Sequence, residues 1–487
     1  MSLIKKLAGE TAIYGIPSIL SRVLNFAIIG AYYSRILSKP TYNDWQQMYV
    51  LAAIGLVVFT YRMETTLFRF GSKPETKDSA FTTSMSILGL STLVLAPLMY
   101  LSADYLHDIF LKGEGPIRFI YYFIGIIVFD ALAAIPFAKL RLDNQAAQFA
   151  KLKVANIIVN IVLVLLFLEV IPSFMDIELD EILKLDLIFM ANLITSLIIL
   201  ILVIPVFGTI KSEWVFDKSL VRQMVTYTWP LAIIALAGVF NQYGQFPLLQ
   251  SILPDEGAKD IGGTYAAATK LAVFMTLFTT AFNYAAEPFF FKQATDSKDR
   301  SVYGKVAAAY TLVAVFVFLG VTLYMDLISL ILGSDFRSGV GVVPIVMLAY
   351  ILLGLYYNVA IWYKLSDNTR YGMFISLAGV LMTVLLNILL IPVFDYFGCA
   401  WATLGCYGVM LIICYLYGQR LYPIHYPVGR ILKYILLAVV FWQISVYVRP
   451  RFEGALFSVL GVNTVLLLLF AGLIYVLDRS YLKSLLS

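Results

Sequence analysis

Six ionisable side chains stand inside long apolar stretches of this chain: Arg22, Arg62, Glu64, Asp130, Lys270 and Glu287. An uncompensated charge is costly in hydrocarbon, so such residues usually face a cavity or a partner. A guanidinium presents forked donors that match phosphate oxygens, and an ammonium adds a point charge. Arg22, Arg62 and Lys270 therefore suit an anionic, diphosphate-type headgroup. Asn241, Gln242, Gln245 and Gln250 add amides along one stretch, and Asn241 and Gln245 are expected to bind substrate beside the three cations. Glu64 and Glu287 suit a gate against basic residues or a proton carrier, and Asp130 suits a coupling cation. The plainer alternative is that Arg22 or Arg62 pairs with Glu64 simply to hold helices together.

Other chemistries lack their residues. The chain has two histidines, His107 and His425, both in expected loops. Its three cysteines, Cys399, Cys406 and Cys414, share one apolar stretch at helical spacing. That stripe reads as small packing residues, and no zinc-type cluster accompanies it. The acidic run in 176–186 reads as a solvated loop. There is no phosphate-binding glycine loop, so the chain is expected to be no enzyme and to need no cofactor. Its work would draw on a Na+ or H+ gradient, the membrane potential or the substrate gradient.

The elements that must position these groups are membrane spans. Hydrophobic residues make up 61% of the 487 and charged ones 13%. A helical span needs about 20 apolar residues. Fourteen stretches qualify: 10–36, 46–70, 79–101, 117–138, 152–169, 186–207, 225–250, 264–290, 304–325, 340–363, 371–391, 398–419, 431–448 and 455–477. The expected fold is all-α and polytopic. Most of the 35 basic residues fall in even-numbered loops and near the two ends, which places both termini in the cytoplasm. The net charge of +5 is this topological signal and implies no nucleic-acid partner. Trp45, Trp214 and Trp362 are expected in the interfacial belts.

The chain also repeats itself. Thr41-Tyr42 matches Thr264-Tyr265, and Phe59-Thr60-Tyr61 with Glu64 matches Phe282-Asn283-Tyr284 with Glu287. Pro17 pairs with Pro230, Asp143-Asn144 with Asp367-Asn368, and Asn160 with Asn387. Two parallel six-helix bundles are expected, at 1–210 and 211–420, followed by two extra helices in 421–487. Substrate sites in such transporters lie between the halves. Kinks at Pro17 and Pro230 would suit bending. Five of the six buried charges fall in spans 1, 2 and 8, and span 7 carries the amide run. A hydrated cavity lined by spans 1, 2, 7 and 8 is the simplest reading.

Two stretches resemble the polysaccharide-biosynthesis flippases of the multidrug/oligosaccharidyl-lipid/polysaccharide (MOP) exporter superfamily. They are Asn387–Pro392 (NILLIP) followed by Gly398–Thr403 (GCAWAT), and Ser21–Phe26 (SRVLNF) followed by Ser34–Ser38 (SRILS) and Tyr42. The second is also similar to the first span of lipid II flippases, whose arginine lines a cationic cavity. A further basic residue after the phenylalanine in those proteins is replaced here by Ala27 and Ile28, which points away from lipid II. The resemblance implies a MATE-like fold in the bacterial cytoplasmic membrane. It implies an undecaprenyl-diphosphate-linked O-antigen, capsule or exopolysaccharide unit as cargo, with membrane lipids and the polymerase or ligase machinery as partners. The alternatives are a cation-coupled multidrug exporter and a lipid II flippase.

Overall fold

The computed structural model describes residues 31–72, 76–143, 145–209, 218–296, 300–366, 368–452 and 455–486. Arg22, Pro17, Trp214 and the side chain of Glu287 lie outside the described residues. Among those described, twelve helices are long and apolar enough to cross a membrane. A further span is a bent pair, Asp255–Lys270 with Val273–Asn283, which turns by 46°. These correspond in order to expected spans 2 to 14, and the protein is an all-α polytopic membrane protein. The expected first span falls almost entirely outside the described residues.

Local chemistry sets the helix starts. Span 2 (Lys39–Gly71) begins with the Ser38 hydroxyl accepting from Thr41 N–H and with Pro40 in the first turn. Span 6 (Glu181–Val206) begins with the Asp180 carboxylate accepting from Leu183 N–H at 2.7 Å. Along span 3 (Lys77–Leu101), Leu90, Leu93, Val94, Leu98 and Leu101 are exposed at helical spacing, the pattern of a lipid-facing stripe.

One sequence-based expectation needs correction. Trp45 and Trp362 are not belt residues, since each is only 1% exposed. Trp45 packs against Tyr33, Tyr42 and Tyr49, and Trp362 Nε1 donates to the Cys414 carbonyl at 3.2 Å. Span 7 (Lys218–Tyr243) runs as one helix through Pro230, which has no N–H to give to the helix ladder. The cysteines pack as expected, all three fully buried.

The chain divides into two compact units, residues 1–266 and 267–487. In the first, Phe123, Phe189 and Phe119 interlock edge-to-face between spans 4 (Arg118–Leu142) and 6. At the even-loop end of this unit Asp143 lies 2.8 Å from Lys77 and 3.1 Å from Lys139, whose side chain is 3% exposed. Burial alone would raise the Asp143 carboxyl, but the two ammonium groups hold it below its ordinary value. A carboxyl depressed in the folded state stabilises above its unfolded pKa of about 3.9 and loses that contribution as pH falls through the folded value. Asp143→Asn leaves Lys139 with only Asp78, 3.9 Å away, and is expected to cost about 3 kcal/mol at neutral pH. Thermal unfolding in detergent checks this. The gap between variant and wild type should close below about pH 4.

In the second unit the last two spans are tied to span 9 (Ser301–Thr322). Asn463 Nδ2 donates to the Leu323 carbonyl at 2.6 Å and Asn463 Oδ1 accepts from Ser445 Oγ at 2.7 Å. Arg449 pairs with Asp326 at 3.3 Å.

Candidate functional site

Span 2 is broken where its basic residue stands. Helix Lys39–Thr60 ends at Tyr61 and helix Met63–Gly71 begins after Arg62, both with left-handed backbone (φ 35° and 64°). Non-glycine residues held in that region cost of order 1–3 kcal/mol each and persist only where the surroundings impose them. Tyr61 is fixed by its hydroxyl, 3.0 Å from Ser91 Oγ. Thr66 below the break shares a hydrogen bond with Thr228 of span 7, and the Arg69 guanidinium lies 4.2 Å over the Tyr227 ring. Spans 2 and 7 therefore meet beside the break.

The Arg62 side chain is half exposed and lies 3.8 Å from Glu64. That distance is an ion pair without hydrogen-bond geometry, so it uses none of the five guanidinium donors fully. One Glu64 carboxylate oxygen is buried with no hydrogen-bond partner among the described residues. Lys270 occupies the matching kind of place in the second unit. It is the last residue of helix Asp255–Lys270, directly before the turn at 271–272 where span 8 bends. The two described cations of the expected anion site thus stand at helix discontinuities. Sequence reading located the cations but not the breaks, because neither 61–62 nor 271–272 holds a proline or glycine.

Asn241 and Gln245 are both buried, and Gln245 Nε2 donates to the Gln242 carbonyl at 2.9 Å. Gln250, from the same run, closes the odd-loop end of the first unit. Its Oε1 accepts from Asn43 at 2.9 Å and from Gln47 at 2.8 Å, and Gln47 also donates to the Phe246 carbonyl at 3.0 Å. Beside these amides Lys259 lies 3.1 Å from Asp44 and 2.8 Å from Glu114, and Lys112 lies 2.5 Å from Asp255. Gly263 permits this closure. A Cβ there would stand 2.0 Å from the Lys39 carbonyl oxygen, and one at Gly262 would stand 2.3 Å from Asn43 Oδ1.

Asp130 belongs to a separate polar cluster inside the first unit. It accepts from Ser196 and feels the positive charge of Lys153, whose ammonium lies 4.2 Å over the Phe137 ring. Around it, Asn192 Oδ1 accepts from Tyr49 at 2.9 Å and from Asn160 at 3.0 Å. Sequence reading noted Asn160 only as a repeat marker and missed Lys153, Asn192, Ser196 and Tyr49. Their polar character in apolar spans was the available signal.

No protein-family model and no curated protein sequence matches the chain. Solved structures do. The lipid II flippase MurJ in an inward closed conformation aligns with a TM-score of 0.74 at 15% identity, over 95% of this chain and 98% of that one. An inward-facing multidrug resistance MATE family transporter of the MOP superfamily aligns at 0.66 with 10% identity, over 82% and 94%. The MATE multidrug transporter DinF-BH aligns at 0.62 with 16% identity, over 86% and 96%. The chain has the fold of the MOP-superfamily transporters. Its neighbours are transporters and flippases, and that likeness establishes architecture.

Proposed function

We propose that the protein is a flippase that carries an undecaprenyl-diphosphate-linked oligosaccharide from the cytoplasmic to the outer leaflet by alternating access, both termini being cytoplasmic. The observation that carries this reading is the position of Arg62 and Lys270 at the two broken spans. Irregular backbone at membrane depth is tolerated where it is enclosed by protein or lines a water-filled cavity. Cations at such breaks therefore favour a hydrated interior over acyl chains. A forked guanidinium at the start of a helix suits phosphate oxygens, because the free N–H groups of that first turn add to its charge. Arg22 is assigned to the same headgroup, with Asn241 and Gln245 as polar contacts once the closed amide cluster opens. Glu64 and Glu287 act as gate partners for the cations. The prenyl tail stays in lipid while the headgroup crosses.

The test is deletion of the gene followed by leaflet-resolved analysis of prenyl-linked glycans. Build-up in the cytoplasmic leaflet is expected; unchanged glycans with altered drug tolerance would reverse the assignment. The likeness to MATE transporters, with a carboxylate inside the first unit, favours as second reading a cation-coupled drug exporter. The lipid II flippase is a third, resting on the MurJ likeness.

Asp130 is assigned to ion coupling under the first reading. Asp130→Asn is expected to reduce by about tenfold the part of transport that depends on the proton or sodium gradient, on the scale of one charged hydrogen bond. The measurement is transport before and after collapse of each gradient. An unchanged gradient response would remove Asp130 from the coupling role.

A further inference from the structure

Near the even-loop end of the second unit lies a cavity of about 180 Å³, lined by Asn283, Ala286, Phe290, Tyr357, Ile361 and Lys364. None of these six entered the anion-binding site above. That is too small for an oligosaccharide, and a prenyl chain would leave the amide and ammonium in its wall without partners. Two helix faces build it. Asn283, Ala286 and Phe290 stand at i, i+3 and i+7 of helix Val273–Asp296. Tyr357, Ile361 and Lys364 stand at i, i+4 and i+7 across helices Val343–Val359 and Ile361–Leu365.

The far face of the second wall is anchored. Trp362 is pinned by the Cys414 carbonyl, Tyr356 and Tyr363 hydroxyls lie 3.3 Å apart, and Gly354 admits Tyr310 so closely that a Cβ would stand 1.8 Å from its hydroxyl. The cavity is therefore formed before any ligand arrives, which lowers the cost of binding.

Its chemistry is one-sided. Tyr357, 43% exposed, offers an accessible aromatic face beside buried Phe290. Asn283 supplies both a donor and an acceptor, and Lys364 a donor cation. Ala286 is the small residue that leaves the space open. A sugar ring has an apolar C–H face and a polar rim of hydroxyls, and this lining complements both. A diphosphate would call for several cations.

We propose that this cavity is a monosaccharide subsite that receives one sugar of the lipid-linked glycan, stacked on Tyr357 with its hydroxyls on Asn283 and Lys364. The inference rests on the flippase reading and adds to it the residues that sense the sugar.

The test uses the full chain in lipid nanodiscs, titrated with undecaprenyl diphosphate and with undecaprenyl-diphospho-N-acetylglucosamine. The wild type is expected to bind the sugar-bearing lipid about tenfold more tightly, on the scale of one aromatic stacking contact. Tyr357→Ala, which removes the stacking face, and Ala286→Phe, which fills the cavity, should each bring the two affinities together while binding of the bare lipid stays unchanged. Tyr357→Phe should keep the preference. If both variants keep the full preference, or the wild type shows none while binding both lipids, the subsite is refuted and the flippase reading stands. If the wild type binds neither lipid, both fall.

Discussion

Arg62→Gly is expected to reduce translocation of the lipid-linked glycan between about tenfold and a hundredfold, with the protein folded and present at its normal level. The size follows from losing hydrogen bonds to a charged group, worth about 1.5–3 kcal/mol. Glycine is the informative replacement because of the backbone. Arg62 has φ 64°, a region glycine enters without strain, so this variant removes the charge and relieves the local cost. If Arg62 served only to hold the break together through Glu64, 3.8 Å away, the glycine variant would change stability alone and would transport normally per folded molecule. Arg62→Lys keeps the charge but loses the fork, so it should fall between wild type and glycine. Leaflet-resolved glycan analysis in cells carrying each variant reads the outcome, with membrane protein level as the control.

Gly263→Val is expected to shift the protein toward a state open at the odd-loop end. The wild-type closure depends on span 8 touching span 2 at backbone distance, and any Cβ at 263 meets the Lys39 carbonyl oxygen at 2.0 Å. Backbone cannot yield as a side chain does, so the helices must separate. Separation breaks the Asn43–Gln250 and Gln47–Gln250 hydrogen bonds and the Lys259–Asp44 pair. Leu249 is fully buried in this closure and gives a reporter. A Leu249→Cys protein should react slowly with a membrane-impermeant maleimide, and adding Gly263→Val should raise the rate by at least about tenfold, the equivalent of roughly 1.4 kcal/mol. The native cysteines are buried and leave a low background. Unchanged labelling in a monodisperse double variant would mean that the amide cluster does not hold this end closed.

Much of the architecture was legible because bilayer thickness dictates span length. Spans 2 to 14 were found in order, with ends that differ by up to nine residues. The aromatic belt failed for Trp45 and Trp362 because hydropathy carries no information on which face of a helix meets protein. The breaks at 61–62 and 271–272 carry no proline or glycine and arise among residues of ordinary propensity. At the site, a charge in an apolar stretch announces itself, so Arg62, Glu64, Asp130 and Lys270 were visible. Asn43 and Gln47, by contrast, become meaningful only once span 7 brings Gln250 against them, a contact about two hundred residues distant in sequence. Tyr357 and Asn283 read as ordinary span residues until the cavity between their helices is seen.

Under the proposed function, cations at broken spans carry a diphosphate-linked glycan across the bilayer. Reconstituting the purified protein in liposomes, with labelled undecaprenyl-diphosphate-linked oligosaccharide in one leaflet, tests it most directly. Wild-type protein is expected to equalise the label between leaflets, and Arg62→Gly protein to do so at least about tenfold more slowly. Label that stays in its original leaflet with active wild-type protein, alongside ion-driven extrusion of a cationic dye, would contradict it.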